Sequence, residues 1–137
     1  MVEKPNKYEI LLLTHGGWGL TLKEKLTMII GEIHGVSEIA LEPSDTTETF
    51  LQKVKERITK MPDNSLILTD IAGGTTSNIA LTFSKDYQIN ILSGLNSMML
   101  MEAVMRQNKP FTKESVAQIR EAALLSCQHL QLPEIKN

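Results

Sequence analysis

Glu9-Ile10-Leu11-Leu12-Leu13-Thr14, running into His15-Gly16-Gly17, is the stretch on which the fold turns. Residues 10–13 are four consecutive aliphatic residues with no period-2 alternation. A strand covered on one face alternates apolar with polar residues. An unbroken aliphatic run bounded by glycines instead fits a strand buried on both faces, as in a parallel sheet between helices. The run ends on a histidine, and open α/β sheets place their ligands at the carboxyl ends of such strands. A histidine that only ends a strand and faces water would look the same, so position alone assigns His15 no role.

Outward from this run, strand-like and helix-like segments alternate. Leu22, Leu26, Ile29, Ile30 and Ile33 recur at helical spacing. Thr21 and Glu24 form a capping box for that helix, Trp18 is an earlier start, and Gly31 or Gly35 is the stop. Residues 36–41 are a second strand, more alternating and so nearer an edge, stopped by Pro43. Asp45 with Glu48 opens a helix whose apolar side is Phe50, Leu51, Val54 and Ile58, ending about Lys60 before the turn Met61-Pro62-Asp63-Asn64. Residues 65–70, Ser-Leu-Ile-Leu-Thr-Asp, repeat the opening pattern of a buried aliphatic run with a polar end. Ile71-Ala72-Gly73-Gly74-Thr75-Thr76-Ser77-Asn78 then leads into a helix with Ile79, Ala80, Leu81 and Phe83. A fourth strand covers residues 88–93. Asn96 caps a helix bearing Met98, Leu100, Met101, Val104 and Met105, and Thr112 caps a last one striped with Val116, Ile119, Ala123, Cys127 and Leu130. The tail from Gln131 is either loose or a short closing strand.

Four strands separated by helices predict an α/β fold with a parallel sheet, and right-handed crossovers put all the strand ends on one side. That edge collects Thr14 and His15, Asp70, and Ser93-Gly94-Leu95-Asn96. The 137 residues are expected to form a single domain, 1–137, with an ordinary 42% hydrophobic and 22% charged content. A net charge of −2, with no cluster of cations and aromatics, argues against a nucleic-acid partner. The longest uncharged run, residues 88–101, is interrupted by Asn90, Gly94 and Asn96 and does not read as a membrane span. No apolar core follows a basic segment at the amino terminus, and the single cysteine, Cys127, allows no internal disulfide. Both point to the cytoplasm. His15, His34 and His129 show no ligand spacing, so no metal is expected. There is no Walker-type loop for a nucleotide and no serine on a nucleophile elbow.

If the strands ending at His15 and Asp70 are neighbours, their side chains can meet. A carboxylate that accepts the Nδ1 proton of an imidazole fixes the tautomer and leaves the Nε2 lone pair free as a base or nucleophile. Gly73-Gly74-Thr75 opens a helix, where free N–H groups and the helix dipole favour an anion. The helix after His15 offers a second amino terminus to the same spot. Histidine, carboxylate and anion cradle together point to transient phosphorylation of His15. Gly73-Gly74 also suits a plain strand-to-helix turn, and Asp70 also suits a helix cap.

The sequence resembles the enzyme IIA component of the mannose/fructose/sorbose family of the phosphoenolpyruvate-dependent sugar phosphotransferase system. The matching pieces run in order from about Tyr8 to Met105. They are Thr14-His15-Gly16, Gly31, Leu68-Thr69-Asp70 with Gly73-Gly74, Asn78, and Ser93-Gly94-Leu95-Asn96 with Met99-Leu100. The resemblance implies a flavodoxin-like doubly wound parallel sheet of order 2-1-3-4, with helices on both faces. It implies that His15 takes a phosphoryl group from the phosphocarrier protein HPr and passes it to enzyme IIB, serving membrane sugar permease components indirectly. Asp70 is then the residue that orients His15, and Gly73, Gly74 and Thr75 hold the phosphate, with no cofactor. Thr75 stands where the family usually has serine, and Thr76 replaces the proline that commonly follows. A homodimer is also implied, with residues 128–135 the candidate for an extra carboxyl-terminal edge strand. The alternatives are a phosphoryl donor to a dihydroxyacetone kinase, which also uses a histidine after its first strand, and a non-enzymatic anion-binding regulatory module.

Overall fold

The structure is a computed structural model and describes residues 8–133. Four strands, β1 (Ile10–His15), β2 (Val36–Leu41), β3 (Ser65–Thr69) and β4 (Ile89–Ser93), form one sheet in the order β2-β1-β3-β4. All neighbours are parallel. Five helices connect and cover them: α1 (Trp18–Ile30), α2 (Thr47–Ile58), α3 (Thr75–Phe83), α4 (Ser97–Met105) and α5 (Lys113–Leu125). This is the flavodoxin-like arrangement expected from the sequence.

The two aliphatic runs take the two central places because only those positions cover both faces of a strand. Ile10 through Thr14 are all buried, and only His15 emerges. Side chains alternate across the sheet. Ile10 and Leu12 therefore pack with Leu26, Leu66, Leu68, Leu100 and Ile119, under α1, α4 and α5. Leu11 and Leu13 pack with Phe50, Val54, Ile67, Ile79 and Phe83, under α2 and α3. Each fully buried leucine contributes about 1.5–3 kcal/mol of transfer free energy. The more alternating β2 lies at an edge, as its pattern requires, and β4 lies at the other.

Two helix starts do not use the capping boxes expected from the sequence. The first helix begins at Trp18, the earlier of the two starts that the sequence offered, so Thr21 lies inside it and forms no capping box with Glu24. Ile29, counted in the apolar stripe, is 69% exposed, while Ile33 is buried only after Gly31 has ended the helix. The cap of α2 is Thr46, in a reciprocal box with Thr49, rather than Asp45. Asp45 instead accepts from the Glu42 N–H at 2.9 Å and from Lys53 Nζ at 2.9 Å. Asn96 and Thr112 cap α4 and α5 as expected. The α5 stripe stops at Ala123; Cys127 and Leu130 are exposed. Residues 127–133 are neither helix nor strand, and the end of the candidate closing strand, residues 134 and 135, lies outside the described residues. No helix among the described residues is long and apolar enough to cross a membrane.

Candidate functional site

The sheet changes winding direction between β1 and β3, and the crevice at such a switch point is where doubly wound sheets bind ligands. β1 and β3 run in register as far as Leu13 opposite Thr69. The next residue, Asp70, donates its N–H to the Leu13 carbonyl at 3.2 Å, which carries its side chain to the strand end beside His15. Gly16 and Gly17 then turn the chain with φ of +79° and +85°, a region that side chains rarely adopt.

His15 and Asp70 meet through a single oxygen. Asp70 Oδ2 accepts the His15 backbone N–H at 2.7 Å and lies 2.8 Å from His15 Nδ1. The carboxylate is sealed in, with its side chain 2% exposed, whereas the imidazole is 43% exposed. Burial pushes the Asp70 carboxyl upward. Hydrogen bonds from the His15 N–H, the Thr76 hydroxyl and the His15 ring outweigh it, and the group ends below its ordinary value. Asp70 is thus an acceptor at neutral pH, and in the neutral imidazole its pairing with Nδ1 assigns the proton to that nitrogen and leaves the Nε2 lone pair free. A Cβ placed on Gly74, the residue before α3, would lie 3.5 Å from His15 Cε1, so the imidazole sits against the amino terminus of that helix.

The two helix termini near His15 are not equivalent. At α1 the Gly19 and Leu20 N–H groups donate to the two oxygens of Glu38, at 2.7 Å and 3.1 Å, and the Thr14 hydroxyl joins at 2.6 Å. A carboxylate from β2 therefore already occupies the anion position that the sequence assigned to this helix. At α3 no side chain caps the helix and its first turn carries no acidic residue. Thr75 opens it and is partly exposed. Of the two candidate cradles, α3 is the one left open, with Gly73, Gly74 and Thr75 at its start.

Three features escaped the sequence reading. Glu38 gave no signal, because its partners are 18 to 24 residues away. Thr76, noted only as a departure from the usual proline, is fully buried and donates to Asp70 Oδ1 at 2.7 Å. Ser77 donates to the Ile71 carbonyl at 2.6 Å and lies 2.6 Å from Thr69 Oγ1 and 3.2 Å from Ser93 Oγ. Its one proton goes to the carbonyl, so Thr69 and Ser93 donate to it, tying the 71–74 loop to β3 and β4. Trp18, Leu20 and Ile71 are 42%, 41% and 56% exposed and border the same edge.

A doubly wound α/β domain with an imidazole–carboxylate couple at its switch point is the class of protein that fold and site define. A family model described as the PTS system fructose IIA component matches residues 9–120. The chain belongs to that family, the enzyme IIA components of the mannose/fructose/sorbose group of the sugar phosphotransferase system. The fructose-specific EIIA component of Bacillus subtilis (strain 168) is 28% identical over 98 residues, 69% of this chain and 67% of the relative. A mannose/sorbose-specific IIA subunit from Enterococcus faecalis superposes with a TM-score of 0.85 at 23% identity, covering 95% of this chain and 99% of that one. A phosphotransferase-system EIIA component from Streptococcus agalactiae gives 0.80 at 25% identity, covering 89% and 96%.

Proposed function

We propose that this chain is a phosphocarrier in which His15 Nε2 accepts a phosphoryl group from phosphorylated HPr and passes it to enzyme IIB, coupling sugar uptake to sugar phosphorylation. The observation that carries the proposal is the 2.8 Å Nδ1–Oδ2 pairing, which frees Nε2 beside the open amino terminus of α3. As Nε2 attacks phosphorus, the P–N bond of the donor breaks and the donor imidazole leaves with its electron pair. The new phosphoimidazole keeps its proton on Nδ1, and its positive charge is balanced by Asp70. The Gly74 N–H is taken by the Ile71 carbonyl at 3.3 Å, so in this reading the Thr75 N–H and the dipole of α3 meet the phosphoryl oxygens as charge shifts during transfer. Return of the group to a second histidine reverses the same step, so neither nucleotide nor metal is called for. Trp18, Leu20 and Ile71 supply apolar area on which partner proteins can seat around the exposed imidazole. In this reading the chain works in the cytoplasm as a homodimer.

Incubating wild type and His15→Ala with phosphoenolpyruvate, enzyme I and HPr, and following intact mass, tests the assignment. One phosphoryl group should appear on the wild type and none on the variant. Phosphate on the His15→Ala protein, at His34 or His129, would overturn it.

A further inference from the structure

We infer that Thr76 is a positioning residue, whose buried hydroxyl clamps the Asp70 carboxylate from the side opposite the imidazole and ties the His15–Asp70 couple to helix α3. The inference rests on the phosphocarrier reading for its consequence in rate, but its geometry is independent of it. A carboxylate offers about four acceptor positions on its two oxygens. Asp70 fills them with four donors. The His15 N–H and Nδ1 reach Oδ2 at 2.7 and 2.8 Å, and the Ile71 N–H and the Thr76 hydroxyl reach Oδ1 at 3.0 and 2.7 Å.

These donors do different things. Rotation of a carboxylate about its last bond is soft, with a broad minimum, and both bonds to Oδ2 come from one residue. The Ile71 N–H belongs to the residue next to Asp70 and moves with it. Thr76 is the one donor of the four that comes from a helix, and that helix is the one whose start forms the anion cradle. Its hydroxyl therefore sets the plane of the carboxylate, and hence the direction of Nε2, relative to the N–H groups that would meet the phosphoryl oxygens. A proline at this position has no hydroxyl and cannot make the bond. The bond is shielded, since Thr76 is 0% exposed, so water does not readily replace the donor.

A buried hydroxyl needs an acceptor in any case, so the test must move something that mere packing would not. Thr76→Val keeps the shape and removes the hydroxyl; Thr76→Ser keeps the hydroxyl and removes a methyl group. Carbon-13 titration of the Asp70 carboxyl and nitrogen-15 shifts of the His15 ring can be read without any partner protein. In Thr76→Val, Asp70 should titrate at higher pH than in wild type and the Nε2–H tautomer should gain population. The kcat for phosphoryl acceptance from phosphorylated HPr should fall on the order of ten- to a hundredfold, the weight of one hydrogen bond to a charged group, with KM for the donor unchanged. Thr76→Ser should restore all three. If the valine variant does not fold, Thr76→Ala gives the same readouts. Wild-type Asp70 titration and tautomer in the hydroxyl-free variants, or a loss that Thr76→Ser shares, would overturn the inference. Failure of wild type to accept phosphate would instead overturn the phosphocarrier reading and leave the spectroscopic arm to decide Thr76.

Discussion

At the scale of single residues, the arrangement around Asp70 makes Asp70→Asn more disruptive than its near-identical shape suggests. Both carboxylate oxygens face N–H or O–H donors. An asparagine must turn its NH2 toward one side, where it meets either the His15 N–H and Nδ1 or the Ile71 N–H. In the first orientation Nδ1 is driven to accept, the tautomer inverts, and Nε2 loses its lone pair. In the second, the start of the α3 loop is pushed apart. Either way, phosphoryl acceptance measured by rapid quench should fall about 10²–10⁴-fold. Acceptance at the wild-type rate would break the link between the pair and the chemistry. The same substitution should flatten the acid limb of unfolding. Asp70 is held below its ordinary value of 3.8, so its stabilisation is complete above that pH and is lost as pH falls through the lower, folded-state value. Thr75 should behave differently. If its backbone N–H meets the phosphoryl oxygens, Thr75→Ala should retain most of the wild-type rate, and a loss of about 10²-fold would transfer the role to its hydroxyl. Asp70 was legible in the sequence because a polar residue ending an aliphatic run falls at a strand terminus. Thr76 was not, because nothing in the sequence says which side of a helix's first turn looks inward.

At the scale of elements, the instructive contact is between β2 and the start of α1. The sequence shows Thr21 and Glu24 at capping-box spacing, yet the cap comes from Glu38 on a neighbouring strand. A tertiary carboxylate satisfies the first-turn N–H groups, so the helix starts four residues earlier than its capping-box signal. Gly19 is what lets that carboxylate in, since a Cβ there would fall 2.5 Å from Glu38 Oε2, 3.0 Å from Leu12 Cδ1 and 3.1 Å from Thr14 Cγ2. In an open helix Gly→Ala gains up to about 1 kcal/mol. Here Gly19→Ala should instead cost about 1–3 kcal/mol in urea unfolding, as overpacking does, by displacing a group held by three donors. In a Glu38→Ala background the penalty should shrink, because the closest obstacle is gone. Equal penalties in the two backgrounds would show that Leu12 and Thr14, not the carboxylate, exclude a side chain.

At the scale of the whole molecule, topology was the most legible property and association the least. Two unbroken aliphatic strands must occupy the middle of the sheet, since an edge strand covers less of each face, and the order β2-β1-β3-β4 does place β1 and β3 there. Surface apolar residues carry no comparable constraint within one chain. Leu124 and Leu125 on α5 are 55% and 63% exposed, and Leu130 and Leu132 beyond it are 82% and 93% exposed. Four leucines left in water within nine residues of sequence are more than isolated surface leucines explain, and such clusters commonly mark protein contact. A second copy of the chain is the occupant that the family resemblance implies. Residues 127–133, which pair with no strand of their own sheet, would be covered in that contact. Closed two-fold association makes each copy contribute the same patch, so a single substitution is felt twice across the interface. Sedimentation equilibrium of the full chain at micromolar concentration should give twice the monomer mass. Leu130→Glu combined with Leu132→Glu should shift it toward the monomer, and phosphoryl acceptance at His15 should persist, because neither leucine is among the residues that bond to His15 or Asp70. A monomeric wild type, or a dimer indifferent to both charges, would remove the carboxyl-terminal leucines from the interface.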